Sequence, residues 1–199
     1  MKALYVVTER AGGLTTERRA KYDAIRARIA TVVGADVESA HYDDVSAPRA
    51  DAIVLSGSAD PWALHSRRSL GRFYEELRRY EGPILGICAG MQMLVRARGG
   101  VVGAAERPVR GYSPIDVVDD SDLLAGLAPR FDAYQSHEDE VTVLPPGFRL
   151  LAASETCAVE AIASTERRWW GTQFHPEEWD VAHPGGRAIV ERFFALARP

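Results

Sequence analysis

Lysine is nearly missing from this 199-residue chain: only Lys2 and Lys21 accompany the arginines that make up the rest of its 24 basic residues. Against 28 acidic residues the formal net charge is -4, so no basic excess is left for a phosphate backbone, and a nucleic-acid partner is not expected. Two cysteines, Cys88 and Cys157, are too few for a disulfide framework. No apolar run approaches the ~20 residues of a membrane span, which argues against a membrane partner. The N-terminus opens into a strand-like run without a charged leader and cleavage site, so a reducing cytoplasm is the expected compartment. No Gly-x-x-x-x-Gly-Lys phosphate loop occurs. With 46% hydrophobic and 26% charged residues, the composition suits an ordinary globular protein, and residues 1–199 are read as one domain.

The most informative stretch runs from Gly82 to Leu94, Gly-Pro-Ile-Leu-Gly-Ile-Cys-Ala-Gly-Met-Gln-Met-Leu. Ile84 to Ile87 reads as a short buried strand and the residues from Met91 onward as a helix, which puts Cys88 on the turn between them. Gly86 and Gly90 flank it at minus two and plus two, the spacing that lets a strained strand-to-helix elbow push a nucleophile outward. A thiol there faces a helix N-terminus, whose free N–H groups favour a thiolate. An isolated cysteine is most simply a small buried hydrophobe; the flanking glycines reverse that preference.

Along the rest of the chain, Ala3 to Thr8 predicts a first strand and the stretch from Thr16 to Val33 a helix that Gly34 ends. Val37 to Tyr42 and Ala52 to Leu55 predict two more strands, the latter closed by Ser56-Gly57-Ser58. A helix follows over Arg67 to Tyr80, with Leu70, Phe73, Tyr74 and Leu77 inward. Beyond Gly99-Gly100 the pattern becomes a series of short strands: Val101-Val102, Ile115 to Val118, Phe131 to Ser136, Val141 to Leu144, Arg149 to Ala153, Val159 to Ala163 and Trp169 to Phe174. Arg187 to Ala197 predicts a closing amphipathic helix. A parallel core with antiparallel β additions in the second half is the expected α/β architecture.

A cysteine nucleophile needs a base, and the base an orienting partner. The string Trp170-Gly-Thr-Gln-Phe-His-Pro-Glu177 supplies both, with His175 just beyond a strand and Pro176 stiffening the backbone before Glu177. His41, His65 and His183 lack ligand-like spacing, so neither metal nor other cofactor is expected. Cys157 reads as packing.

Gly-Ile-Cys-Ala-Gly-Met-Gln and Gly-Thr-Gln-Phe-His-Pro-Glu together resemble the two signatures of class I, triad-type glutamine amidotransferases. Asp51-Ala-Ile-Val-Leu-Ser-Gly resembles that family's strand into the oxyanion loop, and Gln135-Ser-His-Glu-Asp-Glu-Val is similar to a segment of the amidotransferase part of GMP synthetases. The resemblance implies a flavodoxin-like domain with a mainly parallel sheet and helices on both faces. It makes Cys88 the nucleophile, His175 the acid/base and Glu177 its orienter, and gives the oxyanion to the N–H groups of Gly57 and Ala89. Gln92, Ser136 and His137 would touch the substrate. Ser58 departs from a second glycine common in relatives, and Arg110-Gly-Tyr-Ser and Glu138 depart from the GMP synthetase pattern. The implied reaction is hydrolysis of the L-glutamine side-chain amide through a γ-glutamyl thioester. Nothing in the chain activates an acceptor, so ammonia would pass to a separate synthetase subunit. A stand-alone γ-glutamyl amide hydrolase and a non-catalytic regulatory module are the alternatives.

Overall fold

The computed structural model describes residues 1–46 and 48–198. Among these residues, nine strands form one sheet in the order β2-β1-β3-β4-β9-β8-β7-β5-β6: β1 Lys2–Val7, β2 Asp36–His41, β3 Ala52–Leu55, β4 Ile84–Ile87, β5 Val101–Val117, β6 Arg130–Val143, β7 Phe148–Ala153, β8 Ala161–Ser164 and β9 Trp169–Thr172. The strands from β2 to β9 in that order pair in parallel, the doubly wound arrangement expected when helical crossovers cover both faces. From β9 to β8 the pairing turns antiparallel and stays so to the edge.

Among the described residues, four helices cover the parallel half: α1 Thr16–Val33, α2 Arg67–Arg79, α3 Ala89–Ala97 and α4 Gly185–Ala197. Ile25 and Ile29 of α1 join Phe193 and Phe194 of α4 against Tyr5, Val54 and Leu85 on one face. On the other, Leu70, Phe73 and Leu77 of α2 join Met93 and Leu94 of α3 against Val6, Ile53 and Ile84. The alternation of Tyr5 and Val6, or Ile53 and Val54, between the two clusters is the period of two expected of a strand buried on both faces. Thr15 caps α1 by accepting the Arg18 N–H at 3.2 Å, and Gly34 ends the helix at φ 59°.

The largest departure from expectation lies in the second half. The separate short strands expected around Val101, Ile115, Phe131 and Val141 are two long ones, paired over most of their length with a register shift between Ala104 and Val109. Pro108, Gly111 and Pro114 fragment the sequence signal, yet an outlying ribbon tolerates them because few ladder bonds are lost there. The ribbon curls back over the sheet until Tyr134 of β6 meets His175 beyond β9, its carbonyl accepting the His175 N–H at 2.7 Å. Among the described residues, no helix is long and apolar enough to cross a membrane.

Candidate active site

The carboxyl ends of β1, β3, β4 and β9 open onto one cleft of about 520 Å3, the crevice where doubly wound sheets take their ligands. Cys88 stands at its floor, on the step from β4 to α3, at φ 50° and ψ −108°. A positive φ is unfavourable for a residue with a side chain, and the surroundings enforce it. The Cys88 N–H donates to Thr172 O of β9 at 2.7 Å, and the Gly90 N–H to Ser56 O beyond β3 at 3.1 Å. A Cβ on Gly86 would lie 2.6 Å from the Gly90 carbonyl carbon, and one on Gly90 would lie 2.6 Å from the Leu55 Cβ. Both glycines are therefore required by close backbone approach, as their spacing implied.

His175 faces Cys88 from beyond β9. Its Nδ1 lies 2.8 Å from Glu177 Oε1, so an Nδ1–H donates to the carboxylate and Nε2 is left toward the thiol. Burial by itself would depress the His175 pKa, but the Glu177 charge and the interaction with Cys88 outweigh it and raise the value well above the ordinary range. Glu177 is buried at 3% exposure on the short turn Pro176–Glu178. That turn is clamped from outside: the Arg28 guanidinium lies 3.8 Å from the Trp179 ring centroid, and the Tyr112 hydroxyl donates to Glu178 O at 2.5 Å.

The residues expected to touch substrate occupy distinct places. Gln92 lines the cleft, but its amide is already engaged: Oε1 accepts from Trp62 Nε1 at 2.7 Å, while Nε2 donates to Asp139 O at 2.8 Å and to Gln173 Oε1 at 3.0 Å. Ser136 presents its main chain, with the carbonyl oxygen 4.0 Å from Cys88 Sγ. His137 is buried in the cleft wall with neither ring nitrogen hydrogen-bonded among the described residues; burial, then the His175 charge, pulls its pKa down to about 4.

The loop after β3 has a backward-facing carbonyl. Gly57 O accepts from the Ser56 hydroxyl at 2.7 Å and the Thr8 hydroxyl at 3.0 Å. In a planar trans peptide the next N–H, that of Ser58, points the opposite way. A Cβ on Gly57 would lie 2.8 Å from His175 Cε1, so this loop packs directly on the imidazole.

Two positions beside the cleft were not singled out by the sequence reading. Glu9, at the end of β1, is fully buried and accepts from Tyr22 OH at 2.8 Å, Ala59 N–H at 3.0 Å and Ser58 OH at 3.2 Å, with Arg18 at 3.2 Å as its ion-pair partner. No local motif marks it. Gln173 is the other, donating from Nε2 toward Cys88 Sγ at 3.5 Å; the Gln-Phe-His string contained it without distinguishing it from its neighbours.

Fold and site together describe an α/β protein carrying a cysteine, histidine and glutamate at the carboxyl edge of a doubly wound sheet. The sequence profile of the family Glutamine amidotransferase class-I matches residues 21–197. The glutamine-hydrolysing GMP synthase subunit of Thermococcus kodakarensis is 37% identical over 153 residues, covering 77% of this chain and 78% of that protein. Its counterpart in Haloarcula marismortui is 40% identical over 149 residues, 74% of each chain. Among solved structures, a protein assigned as a GMP synthase subunit from Thermoplasma acidophilum superposes with a TM-score of 0.83 at 29% identity, over 99% of this chain and 94% of that one. The chain belongs to the class I glutamine amidotransferases, enzymes that hydrolyse the side-chain amide of glutamine.

Proposed function

We propose that this chain is the glutaminase subunit of a two-component synthetase, with Cys88 as its nucleophile, and that the GMP-forming reaction named for its relatives is the one it serves. The observation that carries the reading is the positive φ of Cys88 in an elbow facing the His175–Glu177 pair. The Cys88 thiolate attacks the γ-carboxamide carbon of L-glutamine. His175, kept protonated at neutral pH by Glu177, gives its proton to the departing ammonia, leaving a γ-glutamyl thioester. His175, now neutral, takes a proton from water, whose attack on the thioester releases glutamate and returns the thiolate.

The oxyanion of each tetrahedral intermediate is received by the Ala89 N–H at the start of α3 and by the loop after β3. Gly57 and Ser58 are the loop's two candidates, and the pinned Gly57 carbonyl favours the Ser58 N–H. Gln92, buried and held by its three partners, forms a fixed wall of the cleft beside the substrate. Ser136 offers its carbonyl to the substrate, and His137 closes the wall behind it.

The test is glutamate and ammonia release from L-glutamine by purified protein, beside Cys88→Ala and a panel of γ-glutamyl amines. Turnover of glutamine that disappears in Cys88→Ala and exceeds that of the other amides supports the reading. Cleavage of γ-glutamyl amines with silence on glutamine overturns it. The partner is tested by adding a separately purified GMP synthetase ATP-pyrophosphatase subunit: stimulated glutaminase activity and glutamine-dependent GMP formation are expected, and no change rejects that acceptor.

A further inference from the structure

Behind the cleft wall, three donor side chains from separate parts of the sequence converge. His137 and Glu140 come from β6 and Cys157 from the turn between β7 and β8; one ligand atom of each, a ring nitrogen, a carboxylate oxygen and Sγ, lie within 4.8 Å of one another. His137 and Cys157 are buried, at 5% and 2% exposure. Neither nitrogen of His137 has a hydrogen-bond partner among the described residues, nor does Oε2 of Glu140 or of the fully buried Glu160. Each buried polar atom left unpaired costs about 1–3 kcal/mol, so the unpaired His137 ring and Glu140 Oε2, clustered with a Cys157 thiol that donates to Val159 O at 3.4 Å, call for an occupant.

A water molecule would satisfy a nitrogen and a carboxylate but gains little from a thiol. A borderline-soft cation is served by all three donors. Thiolate, imidazole and carboxylate are together the donor set of Zn2+, whereas Mg2+ and Ca2+ select oxygen alone. In tetrahedral zinc sites, bonds of roughly 2.0–2.3 Å hold the ligand atoms about 3.2–3.8 Å apart, so closing this cluster needs small rotamer adjustments.

We propose that His137, Glu140 and Cys157 form a Zn2+ site whose fourth ligand is water, with Glu160 as an outer carboxylate. Binding releases the Cys157 thiol proton to solvent and takes His137 in its neutral form. The ion clips β6 to the β7–β8 turn. Both elements reach the nucleophile: the Ser136 carbonyl lies 4.0 Å from Cys88 Sγ, and Glu160 O accepts the Gln173 N–H at 2.7 Å while Gln173 Nε2 lies 3.5 Å from Cys88 Sγ. Zinc here fixes the wall of the cleft and takes no part in bond making.

The experiment uses the full chain carrying Cys88→Ala, so that the thiol facing His175 cannot itself hold zinc. After chelator treatment, Zn2+ is titrated against a chromophoric chelator, and Co2+ is titrated separately to read thiolate ligation by its charge-transfer absorption. One equivalent per chain with a thiolate-to-cobalt band is expected, together with a zinc-dependent rise in Tm. Adding Cys157→Ala removes the band and weakens Zn2+ binding at least about 100-fold, and Glu140→Gln weakens it at least about 10-fold. Absence of stoichiometric binding in the parent, or unchanged binding in Glu140→Gln with its fold verified by circular dichroism, overturns the site. Glu140→Gln keeps the test decisive if Cys157→Ala fails to fold.

Discussion

Glu9 and Ala59 are joined by a 3.0 Å hydrogen bond from the Ala59 N–H to Glu9 Oε2, which ties the end of β1 to the loop after β3. The same carboxylate accepts from Tyr22 and Ser58, so one buried side chain holds the loop that packs on His175. Replacing it by alanine leaves three donors without that acceptor. Glu9→Ala is expected to cost about 2–4 kcal/mol in denaturant unfolding. Glu9→Gln, which keeps one acceptor oxygen, is expected to fold and to lose about 10-fold or more in kcat with a smaller change in KM. Equal kcat in Glu9→Gln and the parent would show that the loop holds its position without this carboxylate.

The raised pKa of His175 gives a pH signature. In the proposed mechanism its imidazolium is the proton donor, so kcat/KM is expected to fall on the alkaline side as that proton is lost, at a pH well above the ordinary histidine range. Glu177→Gln removes the charge that raises the value. The alkaline limb is then expected at lower pH, alongside a reduced maximum; a limb that does not move assigns it to another group.

Two glycines on helices predict opposite outcomes. A Cβ at Gly90 meets Leu55 at 2.6 Å, so Gly90→Ala is expected to cost about 1–3 kcal/mol and to displace the start of α3, lowering glutaminase activity. A Cβ at Gly71 of α2 meets nothing within 4 Å. Gly71→Ala is expected to stabilise by about 0.5–1 kcal/mol with activity retained. Thermal and denaturant unfolding of the pair decides the matter.

Asp60 supplies an acid-range prediction. Its side chain is 7% exposed and lies 2.7 Å from Arg10 and 2.9 Å from Arg18. Burial opposes ionisation, but the Arg18 hydrogen bond and the neighbouring positive charges win and lower the pKa. A depressed carboxylate contributes stability above its unfolded value of about 3.9, and this is lost as pH falls through the folded value. Unfolding free energies of the parent and Asp60→Asn are expected to differ above about pH 4 and to converge below it; a constant difference across that range would assign the effect to packing.

The elbow and the His175–Glu177 pair were legible because each is local: the glycines at plus and minus two of Cys88 and a histidine two residues from its carboxylate state their geometry within a few positions. The parallel half was legible for the same reason, its strands being short apolar runs between turn residues. Glu9 was not, since a charged residue at a strand end looks solvent-facing until β1 and the loop carrying Ala59 are packed together. The β5–β6 ribbon was broken up on paper by its prolines and charges. Cys157 read as filler because its neighbours, His137 and Glu140, belong to another strand.

The place of β9 in the sheet sets a sequence of events during synthesis. A nascent chain that has reached Gly100 possesses β1 to β4 and the elbow, but β4 lacks the neighbour on its other side, and the Cys88 N–H lacks Thr172 O. That strand is translated last of the nine, and its end delivers His175 and Glu177. On the proposed roles, the Cys88 elbow is therefore completed only when the histidine assigned to its proton arrives, so an unfinished polypeptide carries the cysteine without its partner pair.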